Sequence, residues 1–186
     1  LCMVEKLVAK KDIRSFSKKD LEVELLQLQE PSFRARQVYE WLWKKSAFTF
    51  DEMTSLSLAL REKLSANFTI NHIKEYTTQI SADGTIKSAF KLFDNHLIEG
   101  VLIPTEERAT ACVSSQVGCS LSCKFCATGY MDRARYLNPD EIYDQVVLLN
   151  QQAIKNQGKP LTNIVFMGMG EPLLNYKNVI ESIAKI

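Results

Sequence analysis

The sequence predicts an α/β protein in two parts, a small helical domain followed by the opening βα units of a parallel sheet or barrel. Three observations predict it. Leucine stripes at helical spacing run through residues 1–70. Near residue 73 the hydrophobic period shortens to that of strands. From Thr110 onward the order reads strand, loop, helix, strand, loop, helix.

In the helical part, Ser17 with Asp20 three residues on is an N-cap signal, and Leu21, Leu25 and Leu28 follow at i, i+4 and i+7. Pro31 cannot continue that helix and ends it. Phe33 to Lys45 then places Ala35, Val38 and Leu42 on one face, with Arg34, Lys44 and Lys45 largely elsewhere. Leu56, Leu60, Leu64 and Phe68 form a third stripe.

Residues 73–81 and 86–93 flank Asp83-Gly84, a two-residue hairpin signal. His96 to Pro104 and Thr110 to Ser115 read as further strands. Asn138-Pro139-Asp140-Glu141 is a helix start with a cap, a proline in the first turn and acids at the positive end of the dipole. Ile142, Val146, Leu149 and Ala153 make that helix's inner face, and Gly158-Lys159-Pro160 stops it. Thr162 to Met167 reads as a fully buried strand broken by Gly168-Met169-Gly170, and Asn178 to Ile186 begins another helix. Two βα units cannot close a barrel, so the expectation is the N-terminal part of a larger protein. The domain reading is residues 1–70 helical, 71–108 a hairpin and strand extension, and 109–186 the first βα units.

At 46% hydrophobic and 24% charged residues, a normal core is possible and disorder is not indicated. No apolar run reaches the roughly 18 residues of a membrane span. Leu1 to Lys11 lacks the apolar centre of a signal peptide, so a cytoplasmic location without membrane is expected. A net charge of +1 says nothing by itself about nucleic acid. Residues 1–45 hold ten Lys/Arg against seven Asp/Glu, and Phe33-Arg34-Ala35-Arg36 and Trp41-Leu42-Trp43-Lys44-Lys45 mix bases with aromatics. Both suit an RNA-facing module as well as a helix with one solvated basic face.

Of five cysteines, Cys119, Cys123 and Cys126 fall within eight residues, a cluster that reads as metal binding rather than as disulfides. A cubane iron–sulfur cluster normally takes four thiolates. Three on a short loop leave one iron open, as a catalytic rather than a closed site requires. Structural zinc would need a fourth ligand, and the nearest histidine, His96, lies 23 residues before Cys119.

The flanks carry a family resemblance. Cys119-x3-Cys123-x2-Cys126, with Phe125 before the last cysteine, resembles the signature of radical S-adenosylmethionine enzymes. Gly168-Met169-Gly170-Glu171-Pro172-Leu173 resembles that group's second motif, which contacts the methionyl amino group. More narrowly, the stretch from Arg108 through Cys112 to Cys119, and that from Phe166 to Leu173, are similar to the RlmN/Cfr RNA methyltransferases; residues 1–70 also match their accessory domain. The resemblance implies a partial (β/α)6 barrel, a [4Fe-4S] cluster on Cys119, Cys123 and Cys126, and S-adenosylmethionine held at Gly170 and Glu171. It implies methylation of adenosine C2 in 23S ribosomal RNA and in tRNA. The cluster would cleave S-adenosylmethionine to a 5′-deoxyadenosyl radical, and the methyl would pass through a methyl-cysteine near the enzyme's C-terminus. It further implies an electron donor such as flavodoxin and a monomeric enzyme. Glu99 matches the family's acid that takes a proton from the adenosine carbon, and Cys112 a cysteine that helps to resolve intermediates. No cysteine follows Cys126, so these residues alone are not expected to transfer methyl. Cys2 has no assigned role. The rival readings are the related C8 methyltransferase, a radical enzyme with a non-RNA substrate, and a module that binds metal or RNA without turnover.

Overall fold

In a computed structural model, which describes residues 10–186, the chain divides into two units, Leu1–Asn71 and His72–Ile186. Cys2 lies outside the described residues.

In the first unit the helices begin where side chains cap them. The Ser17 hydroxyl accepts from the Asp20 amide (3.2 Å) at the start of α1 (Lys18–Gln27), which buries Leu21 and Leu25. Helix α2 (Phe33–Trp43) buries Ala35, Val38, Leu42 and Trp43. Ser57 caps α3 (Leu58–Asn67), which buries Leu60 and Leu64. The ends of the leucine stripes behave differently. Leu28 caps α1 and is half-buried, and Leu56 is buried ahead of α3. Phe68 leaves the helix: β1 (Lys11–Asp12) and β2 (Phe68–Thr69) pair in parallel. Asp12 ties the two ends of the unit by accepting from the amides of Arg14 (2.9 Å) and Asn71 (3.1 Å).

The second unit is a five-stranded sheet, in the order β3-β4-β5-β6-β9, and a two-stranded ribbon, β7-β8. The strands are β3 (Lys74–Ile80), β4 (Ile86–Lys91), β5 (Leu97–Pro104), β6 (Ala109–Cys112), β7 (Gln116–Val117), β8 (Arg135–Tyr136) and β9 (Asn163–Val165). Neighbours from β3 to β6 are antiparallel, and only β6 and β9 are parallel. The antiparallel strand extension and the first βα unit therefore share one sheet. The β3–β4 connection is wider than two residues. The Gly84 amide bonds the Ser81 carbonyl (3.0 Å) and the Ser81 amide the Thr85 carbonyl (2.9 Å), with Gly84 left-handed at φ 83°. This is a turn followed by a glycine bulge, the usual three-residue hairpin loop.

Helix α4 (Pro139–Gln157) covers one sheet face. Its capping box pairs Asn138 with Glu141, and it ends on Gly158 in the left-handed conformation. Ile142, Val146, Leu149 and Ala153 pack against Phe90, Ile98, Leu102 and Ala111. Gly100 leaves room for this packing, since a Cβ there would lie 2.7 Å from the Phe90 ring. Among the described residues strand β9 has one neighbour, β6, and its residues are exposed or half-buried instead of fully buried. Helix α5 (Tyr176–Ile183) starts two residues earlier than Asn178 and packs on α4. Among the described residues no helix is long and apolar enough to cross a membrane.

Phe90 is fully buried under α4. Phe90→Ala is expected to cost about 3–5 kcal/mol of unfolding free energy, read by denaturant titration.

Candidate functional site

The three clustered cysteines lie on the loop between β7 and β8. The loop's base is fixed by the pairs Gln116 with Tyr136 and Val117 with Arg135, and by the Ala134 amide donating to the Val117 carbonyl (2.9 Å). Gly118 makes the turn into it at φ 75°, and a Cβ there would sit 2.1 Å from the Asp132 carbonyl oxygen. Arg135 anchors the return. Its guanidinium makes two hydrogen bonds of 2.7 Å to Glu141 and one of 2.6 Å to Asp94. Glu141 is 1% exposed and also accepts from the Asn138 amide (2.9 Å), so one carboxylate caps α4 and holds the cysteine loop. Burial would raise the Asp94 carboxyl, but hydrogen bonds from Arg135 and His96 outweigh it and hold it well below the usual carboxylate range. The Glu141 hydrogen bond raises Arg135 further against its own desolvation.

Within the loop, Cys119, Cys123 and Cys126 are each half-buried free thiols. The Leu121 amide donates to Cys119 Sγ (3.5 Å), the Cys126 amide to the Cys123 carbonyl (3.1 Å), and the Gly129 amide to the Cys126 carbonyl (2.9 Å). Gly129 presses on the loop, since its Cβ would lie 2.5 Å from the Cys123 carbonyl oxygen. Cys119 lines a cleft of about 470 Å³ with Tyr130, Asp132 and Arg133. The three thiols share the loop, but among the described residues no three Cys, His, Asp or Glu side chains are gathered as a metal-holding group.

Gly168-Met169-Gly170-Glu171 follows β9. Gly168 lies against Ser114 and Val113, where a Cβ would come within 2.8 Å. Gly170, at φ 91°, lies against Gln116, where a Cβ would come within 2.4 Å of the side chain. Glu171 is half-buried and its Oε1 accepts from the Leu173 amide (3.0 Å), capping a 3₁₀ turn at Pro172–Asn175. Gln116 is fully buried. Its Nε2 donates to the Glu171 carbonyl (3.3 Å), while its Oε1 has no hydrogen-bond partner among the described residues.

Glu99 stands on β5, on the sheet face that α4 leaves open, and Cys112 shares that face on β6 beside Val101. Glu99 Oε1 is 2.8 Å from the Lys87 ammonium on β4. Burial pushes the Cys112 thiol up, opposed by the Met167 backbone. Ser114 connects Glu99 to the glycine turn. Its hydroxyl donates to the Glu99 carbonyl (2.6 Å) and accepts from the Met169 amide (2.8 Å). The Gln145 side chain from α4 accepts from the Ser114 amide (2.8 Å) and donates to its carbonyl (3.1 Å). Sequence reasoning missed Ser114, Gln116, Arg135 and Gln145; the only available signal was the polar run Ser114-Ser115-Gln116 between a strand and the cysteine loop.

The thiol-rich loop and the glycine turn are tied together through Gln116 and the Glu171 carbonyl. Residues 113–186 match the radical SAM superfamily, and residues 11–70 match the ribosomal RNA large subunit methyltransferase N-terminal domain. The chain is 59% identical over 179 residues to a "Probable dual-specificity RNA methyltransferase RlmN" of Cytophaga hutchinsonii, covering 96% of this chain and 49% of that protein. It is 48% identical to the protein of the same name from Chlorobaculum tepidum, covering 94% of this chain and 49% of that one. A crystal structure of a radical SAM methyltransferase from Sphaerobacter thermophilus superposes with a TM-score of 0.81 at 37% identity, covering 93% of this chain and 51% of that one. Over nearly its whole length the chain is therefore similar to the radical S-adenosylmethionine superfamily and, within it, to the RlmN proteins. It spans about half the length of the curated relatives it matches.

The radical SAM superfamily that residues 113–186 match implies S-adenosylmethionine and a four-iron cluster. The residues present suit both. The donor set of three free thiols on one anchored loop matches the cluster's preference for thiolates. At the glycine turn, the buried Gln116 Oε1 lacks a donor beside a position that a Cβ would fill, a polar cradle suited to an ammonium group.

Ser114→Ala leaves the part-buried Glu99 carbonyl and the buried Met169 amide without that hydroxyl. A loss of about 1–3 kcal/mol is expected by denaturant unfolding. Because the Asp94 carboxyl is depressed in the folded protein, its ion pair contributes above the usual carboxylate pKa and is lost as pH falls through the folded value. Limited proteolysis of the cysteine loop should therefore stay slow from neutral to mildly acidic pH, and Asp94→Asn should accelerate it at neutral pH.

Proposed function

We propose that this chain is the radical-initiating part of an RNA methyltransferase that methylates adenosine C2 in 23S ribosomal RNA and in tRNA. The observation that carries the reading is that likeness to the RNA methyltransferase relatives extends over 96% of this chain, helical unit and cysteine loop alike. Cys119, Cys123 and Cys126 would hold the cluster, leaving one iron for S-adenosylmethionine. Gly170 and Glu171, with Gln116 behind them, would hold the methionyl end. When bound, the two cofactors supply a carbon-centred radical able to remove hydrogen from an unactivated methyl group.

The residues of this chain then have separable tasks. The cysteine loop, anchored through Arg135, presents the thiols, and Ser114 sets the glycine turn against the strand of Glu99. Glu99, on the open sheet face, acts as the general base that receives the proton from the adenosine carbon. An amidine carbon such as C2 is not nucleophilic, which is why radical chemistry is needed there. Residues 1–70 act as the accessory domain and 71–108 as the strand extension of a barrel that begins at 109. Exposed Phe33 and the stacked pair of Lys45 over Trp41 (3.8 Å) suit RNA contact by the accessory domain. The enzyme works as a cytoplasmic monomer with a flavodoxin-like electron donor.

Anaerobic reconstitution of the whole protein should give about four irons per chain, with a spectrum that shifts on adding S-adenosylmethionine; Cys123→Ala should abolish both. Mass spectrometry of digested RNA should then show 2-methyladenosine. Exclusive 8-methyladenosine would replace this assignment with the C8 enzyme, and unmodified RNA with an intact cluster would point to a non-RNA substrate.

A further inference from the structure

Lys87 and Glu99 meet diagonally across β4 and β5: Lys87 pairs with Val101, and Glu99 with Ala89. The ammonium lies 2.8 Å from the carboxylate, with the two side chains 49% and 48% exposed. An ion pair this wet contributes little to stability, about 0–1 kcal/mol. It matters when the face is covered. An adenine laid over Glu99 would strip water from the carboxylate, and desolvation drives a carboxyl towards its neutral form. A carboxyl that already carries a proton cannot accept another. A neighbouring ammonium opposes this, and its attraction strengthens as the local dielectric falls.

Among the described residues, Lys87 is the ion-pair partner of the Glu99 carboxylate on that face. On β4, Lys91 lies four residues beyond Lys87 and faces Lys74 of β3, and neither Lys74 nor Lys91 makes an ion pair among the described residues. On β3, Gln79 is opposite Lys87 and is uncharged. On β6 the only titratable group is Cys112, whose thiol burial keeps protonated. Glu75 points to the other side of the sheet and accepts from Gln152 of α4 (2.6 Å).

We infer that Lys87 is a positioning residue that keeps Glu99 ionised and aimed along the open sheet face while the RNA base covers it. This rests on the reading of Glu99 as the base. In the step it serves, a Glu99 oxygen forms an O–H bond as the adenosine C–H bond breaks, and the bonding pair stays with the ring carbon. Lys87 keeps its own proton throughout.

The test is the pH dependence of single-turnover methylation by the full-length holoenzyme at saturating RNA, for wild type, Lys87→Met, Lys87→Arg and Glu99→Gln. Thermal melts of each variant run alongside. Lys87→Met should move the acid limb up by about one pH unit, making methylation about tenfold slower below both midpoints, with recovery at higher pH. Lys87→Arg should return the limb to its wild-type position, and the melts should coincide within a few degrees. An acid limb that stays put in Lys87→Met, or one that Lys87→Arg fails to restore, overturns the inference about Lys87. Wild-type rates in Glu99→Gln overturn the base assignment itself, and with it the role given to Lys87.

Discussion

One buried hydroxyl sets the geometry on which the site depends. Ser114 lies two residues past the end of β6, and its side chain spans the gap between the carbonyl of Glu99 and the amide of Met169. The Met169 amide is buried and the Glu99 carbonyl partly so, and polar backbone groups shut away from water without a partner are costly. Gln145 fixes the serine's own backbone from the helix side. The strand of the proposed base, the turn proposed for S-adenosylmethionine and the covering helix are thereby held to a common reference. Gly168 belongs to the same constraint, because any side chain there would strike the serine hydroxyl or Val113.

The cysteine loop is held by a second and different device. Its interior relies on short backbone bonds and on glycines that admit no Cβ, so it is compact without a core of its own. Its return strand is fixed by charge. Arg135 is gripped from two directions, by the buried Glu141 and by Asp94, and partly buried bidentate pairs of this kind are the strong ones. Using the helix-capping acid for this task links the position of the loop to the start of α4. A change that frays the first turn of that helix would also loosen the loop.

What the sequence disclosed follows from how local each cause is. Ser17 and Asn138 act within three residues of themselves, so the starts of α1 and α4 were readable from residue type alone. The cysteine spacing and the Gly168-Met169-Gly170-Glu171 run were likewise contiguous. Strand pairing was not. Phe68 completes a helical stripe, yet it pairs with Lys11, because a partner distant in sequence offers it a ladder. Thr162 to Met167 has the composition of a central strand, and its one neighbour among the described residues, β6, lies some 50 residues away in sequence. The polar residues that organise the site were the hardest to see. The partners of Ser114 lie 15 and 55 residues away, and Arg135 reaches 41 residues back to Asp94. A serine or an arginine carries no sign of such a partner in its own neighbourhood.

The two faces of the sheet differ, one packed beneath a helix and the other open and carrying the proposed base. The face under α4 is filled by Phe90, Ile98 and Leu102, all at 0% exposure, and its few polar groups are bonded to the helix through Gln145 and Gln152. The opposite face carries Lys87, Glu99 and Cys112, with the Lys87 ammonium 2.8 Å from the Glu99 carboxylate. Strict alternation along β5 separates the two sets, with Ile98 and Gly100 turned to the core and Glu99 between them turned away. A one-residue slip of β5 would put the carboxylate into the apolar layer and Ile98 onto the reactive face. The register of that strand is therefore set by the core, and the position of the proposed base follows from the packing of Phe90 and Leu102 as much as from its own hydrogen bonds.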